Sequence, residues 1–356
     1  MRSAVPDFGL GTLDVGPWTM SYLTRRRFFA VTAVLTAGLL ATVCGAALTG
    51  PVRIDLGRAL QWSDTTNPDF VILFDTRLPR VLLGAVVGGA LAVAGAALQG
   101  LLRNPLAEPH ILGISGGAAL GGIVAIILAG QHPLAAISAA PVGSFLGALG
   151  TTLLIYRLAL IDGRLQPYTL LLTGVVVNAF AGALIMFVNS LADFYQAHGI
   201  LFWLMGSLAT QSYRLVAGIA LYALAAALWL TWQARHMNVL ALGEEAALQL
   251  GVDVDRTRRN IFMASSLLVG AVVSVSGMIG FVGLIVPHLL RLLVGADHRL
   301  LLPASFLAGG IFLIWADTFA RTALGSTEIP VGVVTALCGA PFFIFLLKQA
   351  GRQAFD

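Results

Sequence analysis

Of the 356 residues, 58% are hydrophobic and 11% charged, against about 25% charged in soluble domains, and mean hydropathy is +0.89. That excludes a soluble enzyme, because no aqueous fold covers so much apolar surface. The net charge of +4 comes from basic residues scattered between apolar runs, which excludes a nucleic-acid-binding stripe.

Residues 1–24 are polar and mixed. Arg25, Arg26 and Arg27 then precede an apolar run to Gly50, longer than the 7–15 residues of a signal core and close to the ~20 of a spanning helix. The run reads as a retained first span. Lengths near 20 residues, the number that lets a helix satisfy its own backbone across a bilayer, recur at 28–50, 80–102, 111–130, 136–158, 168–190, 213–233, 260–279, 281–295, 303–321 and 330–348. The expected fold is all-α: a polytopic membrane protein of about ten transmembrane helices. A cytoplasmic tail (1–27) precedes the helical domain (28–348) and a second cytoplasmic tail (349–356) follows it. The eighth span is short and contains Pro287, so a kinked or partial crossing is expected. Ile200 to Met205 is too short to cross and reads as an interfacial helix. With the N-terminus inside, most of the 21 Lys and Arg residues fall on the cytoplasmic side, and an even span count returns the C-terminus there.

Val87-Gly88, Val93, Gly95 and Pro105 align at one constant offset with Val269-Gly270, Val275, Gly277 and Pro287, a weak repeat whose odd helix separation inverts the second copy. Glycines four apart (Gly84 and Gly88; Gly113, Gly117 and Gly121; Gly143 and Gly147) place small residues on one helix face for close crossings or for a smooth pathway wall; Gly277 joins them as a packing or pathway candidate. Cys44 and Cys338 lie in apolar runs and read as buried small hydrophobes, with no metal site implied.

A phosphate-binding loop needs a lysine after its glycines, and the single lysine, Lys348, is followed by Gln349, so any nucleotide site belongs to a partner. The spans hold few acids, against an ion-coupled carrier. Asp317 stands four residues before Arg321, the spacing of a helical ion pair. The longest hydrophilic segment, 234–259, contains Gly243-Glu244-Glu245-Ala246-Ala247-Leu248-Gln249-Leu250-Gly251, a short amphipathic helix with acids in its first turn and a glycine to end it. It reads either as a docking knob for a partner or as a solvated loop helix.

Arg77-Leu78-Pro79-Arg80, Arg103-Asn104-Pro105-Leu106-Ala107-Glu108-Pro109, Leu112-Gly113-Ile114-Ser115-Gly116-Gly117, Gly243-Glu244-Glu245-Ala246, Gly280-Phe281-Val282-Gly283-Leu284-Ile285-Val286-Pro287-His288 and Ile329-Pro330-Val331-Gly332 resemble the FecCD-type permeases in order, across residues 75–348. The resemblance implies an importer permease of the bacterial inner membrane for a metal chelate, an iron siderophore or haem, with cobalamin the alternative. It implies a second permease copy, two cytoplasmic ATPases carrying the ATP and Mg, a periplasmic binding protein, no nucleic acid, and no cofactor held by this chain. It assigns ATPase coupling to Gly243, Glu244, Glu245, Ala246, Leu248, Leu250 and Gly251, and binding-protein docking to Arg77, Arg80 and Arg321. Asn104, Pro105, Glu108 and Pro109 form a rigid cytoplasmic turn or an inner gate. His110 and His288 read as lone interfacial histidines.

Overall fold

The computed structural model describes residues 23–61, 66–129, 133–209, 212–325 and 327–353. Residues 1–22, most of the expected N-terminal tail, lie outside the described residues.

Helix α1 is Arg25–Leu48, so the three arginines open the first helix instead of preceding it. A short helical lead, Pro68–Phe70 then a π-helical stretch Val71–Arg77, runs into α2, Leu78–Leu102. The widened stretch suits Pro79, which has no N–H and whose ring crowds the carbonyl four residues back. Next come α3 (Ile114–Leu128), α4 (Pro133–Leu158), α5 (Pro167–Ser190), α6 (Phe194–Leu204) and α7 (Tyr213–Trp232). The hydrophilic segment forms α8 (Ala234–Ala241), α9 (Glu244–Gln249) and the first turns of α10 (Val254–Ser276). The chain ends with α11 (Val282–Val294), α12 (His298–Thr322) and α13 (Val331–Gln353).

Seven of these helices are long and apolar enough to cross a membrane, and α3, α11 and the apolar part of α13 are shorter apolar helices in the remaining expected positions. α10 begins six residues before the expected 260 because Asp253 caps it by accepting the Arg256 amide at 2.9 Å, and polar residues fill its first turns. α13 runs on to Gln353, beyond the expected start of the C-terminal tail. Among the described residues the helical pattern is interrupted by one hairpin of two-residue strands, Leu160–Ile161 with Arg164–Leu165. Its corner, Asp162-Gly163, has positive φ at both residues, the primed turn that Asp-Gly favours.

α2 is buried along nearly its whole length, with α10 and α12 packed along it. Glycine makes this possible. A methyl group on Gly88 would strike the Gly309 backbone of α12, and one on Gly95 the Gly283 backbone of α11. Gly117 and Gly121 meet Thr151, Gly143 and Gly147 of α4 in the same way. Around this core α1, α4, α5, α7 and α13 turn large apolar side chains outward, among them Phe29, Leu146, Val176, Leu221 and Ile344. Cys44 and Cys338 sit on that outer surface and are exposed, contrary to the expected burial. In a lipid-facing helix an apolar side chain gains nothing by pointing inward.

Helices α2 to α5 span 25, 15, 26 and 24 residues, and α10 to α13 span 23, 13, 25 and 23. α12 packs on α2 as α4 packs on α10, so the two sets exchange partners. Each short helix follows a left-handed residue, Gly113 (φ 77°) before α3 and Phe281 (φ 67°) before α11. This register differs from the sequence alignment: Gly95 lies mid-helix where Gly277 ends α10, and Pro105 lies in a connection where Pro287 is inside α11.

Candidate functional site

At the end where α2 finishes and α12 begins, α8 and α9 form a surface hairpin. Gly243 (φ 125°) makes the corner, and Glu244 and Glu245 occupy the first turn of α9, favourably placed against its dipole. Gly251 (φ 78°) closes it in a Schellman motif: its amide donates to Leu248 O at 3.0 Å and that of Val252 to Ala247 O at 2.9 Å. Ala247 is buried beneath the hairpin, whereas Leu242, Leu248 and Leu250 are 71%, 62% and 63% exposed.

Beneath those leucines the hairpin is tied to three helices. Arg103, the left-handed cap of α2, donates to Leu240 O at 2.6 Å. Glu244 pairs with buried Arg258 of α10, which also donates to Leu165 O at 3.4 Å. The Arg258 hydrogen bond holds the Glu244 carboxyl below the usual range. Asn238 of α8 bonds to Asp297 and His298 at the start of α12. Partial burial would raise the Asp297 carboxyl, but hydrogen bonds from Arg299 and Asn238 outweigh it and hold it at about 2.

The opposite end carries the expected docking arginines, and all three are buried. Arg77 donates to Ala47 O (3.3 Å) and Leu48 O (3.1 Å), orphan carbonyls where α1 stops, and to Val52 O in the segment that follows. Arg321 donates to Ala46 O at 3.2 Å and stands 3.2 Å from Asp317, the expected i,i+4 pair. Arg80 is the stronger partner of Asp317: Nη2 donates at 2.9 Å and Nε at 3.1 Å, while Nη1 reaches Glu328 at 2.9 Å. Each of the three guanidinium groups is bonded to carbonyls or carboxylates of this chain. Glu328, on the connection from α12 to α13, is the exposed member, at 54%. Neither Glu328 nor the Arg80–Asp317 pair was read from the sequence; the signal was Arg80, a charge in an apolar helix that crosses α12 at glycines.

The Asn104–Pro109 turn folds back into the protein. Asn104 Oδ1 accepts from Leu106 N at 2.9 Å, buried Glu108 accepts the Phe281 amide that starts α11, and Pro109 lies near Gly283. Next to it a cavity of about 490 Å³ is lined by Glu108, His110, Met205, Met278, Phe281 and Leu337, among others. Gly84, Gly88, Gly113, Gly117, Gly121 and Gly277 do not line this cavity. Gly84 lies against Leu208 and Ile314, and Gly113 and Gly277 supply left-handed backbone at helix ends. α6 is too short to cross, as expected, and its end docks on the end of α10, where Ser207 N donates to Ser276 O at 2.8 Å. His288 lies edge-on to Phe342 at 6.0 Å.

The profile of the FecCD transport family matches residues 38–349. Over 287 residues the chain is 47% identical to the cobalamin import system permease protein BtuC of Halobacterium salinarum, covering 80% of this chain and 75% of that one. It is 42% identical over 294 residues to the hemin transport system permease protein HmuU of Yersinia pestis, covering 82% and 88%. Among solved structures, a metal-chelate type ABC transporter in an inward-facing conformation superposes with a TM-score of 0.79 at 33% identity, covering 90% of this chain and 99% of that one.

Proposed function

The chain belongs to the FecCD transport family, and we propose that two copies of it form the pathway of an ATP-driven importer for a metal chelate of the haem or cobalamin kind. It is a multi-pass membrane protein, the permease component of an ABC importer, without an ATPase site of its own. The expected preference for an iron complex is not singled out, since relatives named for cobalamin and for haem match to similar degrees. Both cargoes are large, rigid metal macrocycles, and the proposal takes that shared class as the substrate.

The observation that carries the reading is the α8–α9 hairpin, which exposes three leucines on one side and is bonded to α2, α10 and α12 on the other. An exposed apolar knob rigidly joined to the core suits a groove on a partner. We assign the hairpin of each copy to one of two ATPase subunits that bind ATP and Mg in the cytoplasm, which puts both termini of this chain inside, in the reading that the membrane is the bacterial inner membrane. The opposite end then faces a periplasmic binding protein. There an incoming carboxylate reaches Arg80 only by displacing Glu328, the exposed acid already on it. We read the Asn104–Pro109 turn as part of an inner gate; the adjoining cavity is lined on its other side by Gly332 and Val333 in the first turn of α13.

Reconstitution in liposomes with the ATPase and binding protein encoded beside it tests the reading. ATP-dependent uptake of radiolabelled cyanocobalamin or haem supports it and selects the cargo; uptake driven by a proton gradient without ATP defeats it.

A further inference from the structure

Asn238 is the one α8 side chain, among the described residues, that hydrogen-bonds a side chain of a long helix, and it uses both ends of its amide to do so. Its Oδ1 accepts the His298 amide at 2.9 Å and lies 2.8 Å from His298 Nδ1. Its Nδ2 donates to Asp297 Oδ1 at 2.7 Å, the same oxygen that accepts the Arg299 amide at 3.0 Å. The first amides of a helix have no partner within the helix. Here they are capped jointly, by Asp297 from the helix itself and by a side chain 59 residues earlier in the chain.

Helix α12 runs from that cap to the opposite end of the molecule. At 1.5 Å per residue its 25 residues span about 37 Å. Midway, Gly309 lies against Gly88 with no side chain between the backbones, and near the far end Asp317 is held by Arg80 and Arg321. Pro303 removes one backbone bond near the start of the helix, and beyond it the close-packed contacts hold discrete arrangements, so a displacement that passes Pro303 is carried on as a shift of the helix. The other ties of the hairpin are of a different kind. Arg103 reaches a backbone carbonyl, and the Glu244 side chain paired with Arg258 is 49% exposed.

We propose that Asn238 is the positioning residue that passes movement of the α8–α9 hairpin to α12. The inference rests on the reading that an ATPase docks on this hairpin. It assigns to Asn238 no contact with the ATPase or the cargo: the bonds of its side chain face α12, away from the exposed leucines of α9.

The test uses the permease assembled with its ATPases, carrying Leu324→Cys at the far end of α12 in a Cys44→Ser/Cys338→Ser background. Leu324 is 61% exposed, so its modification rate by a membrane-impermeant maleimide reports local movement. Trapping with ATP and vanadate is expected to change that rate by about fivefold or more, the lower range of linked-site coupling. Asn238→Ala is expected to keep the ATPases bound and hydrolysing while abolishing the change. Asn238→Asp sets a carboxylate against Asp297 and is expected to fail likewise. Asn238→Gln keeps both the acceptor and the donor of the amide and is expected to retain part of the change that Asn238→Ala loses. A full response in Asn238→Ala overturns the proposal. So does loss of the ATPases from that variant, which makes the residue a structural prop. An otherwise unsubstituted permease that retains no ATPase overturns the functional reading as well, and that failure shows before any Asn238 variant is made.

Discussion

The two ends of the molecule use the same chemistry, arginine against carboxylate and carbonyl, to opposite effect. At the end where α1 stops Arg77, Arg80 and Arg321 turn inward on Asp317 and on the carbonyls closing α1, leaving Glu328 as the group of this cluster nearest solvent. At the end that carries the α8–α9 hairpin Arg103, Arg258 and Asn238 also turn inward, but the leucines beside them, Leu242, Leu248 and Leu250, face outward. The difference teaches that a charged motif does not by its charge mark what a surface presents. What is left uncovered once these charges have satisfied one another is one acid, Glu328, at one end and three leucines, with Glu245 beside them, at the other.

The comparison breaks most severely at Asp317. Asp317→Asn leaves Arg80 and Arg321 buried without their shared anion, and removing one partner of a buried pair costs about 3–5 kcal/mol. Unfolding in detergent should show that loss, whereas Glu328→Gln should cost less than about 1 kcal/mol because that side chain is half exposed. Equal losses would mean the outer cluster is solvated. Next in size, Leu248→Asp with Leu250→Asp should weaken ATPase binding by about 2 kcal/mol, the scale of an interface hot spot, with permease stability unchanged. Co-purification and a binding titration read this, and undiminished binding would move the contact elsewhere.

The two adjacent acids separate more finely. Glu244→Lys faces buried Arg258 with a like charge and should destabilise the chain by about 1 kcal/mol, while Glu245→Lys loses only its place against the α9 dipole and should cost about 0.5 kcal/mol or less. Matching melting curves would show that Arg258 does not depend on Glu244. The smallest effect is in pH. The Asp297 carboxyl, at about 2 in the fold against an ordinary 3.8, contributes stability that is fully present above pH 3.8 and fades as pH falls toward 2. Asp297→Asn should flatten that part of the stability profile, and a profile identical to the parent's would exclude the cap as its source.

Much of this was legible in one dimension. Spanning helices declare themselves by apolar length, so most predicted boundaries fall within three residues of those found. They slip where caps and polar residues extend a helix past its apolar run, as Asp253 does for α10 and Asp297 for α12. The Asp317–Arg321 pair and the closing turn of α9 at Gly251 were equally readable, because both depend on neighbours a few residues away. The Asp162-Gly163 hairpin was present in the sequence as a turn signal and passed over between two spans.

The sequence by itself therefore determined the solvent this protein lives in, its helices and the local caps that end them, since each follows from hydrophobic length or from bonds between near neighbours. Only the tertiary structure decided that Arg80, 237 residues from Asp317, is its main partner, that the three arginines face inward, and that Asn238 reaches the cap of α12. Those outcomes depend on which helices cross at their glycines, and a crossing places side chains together whatever their distance along the chain.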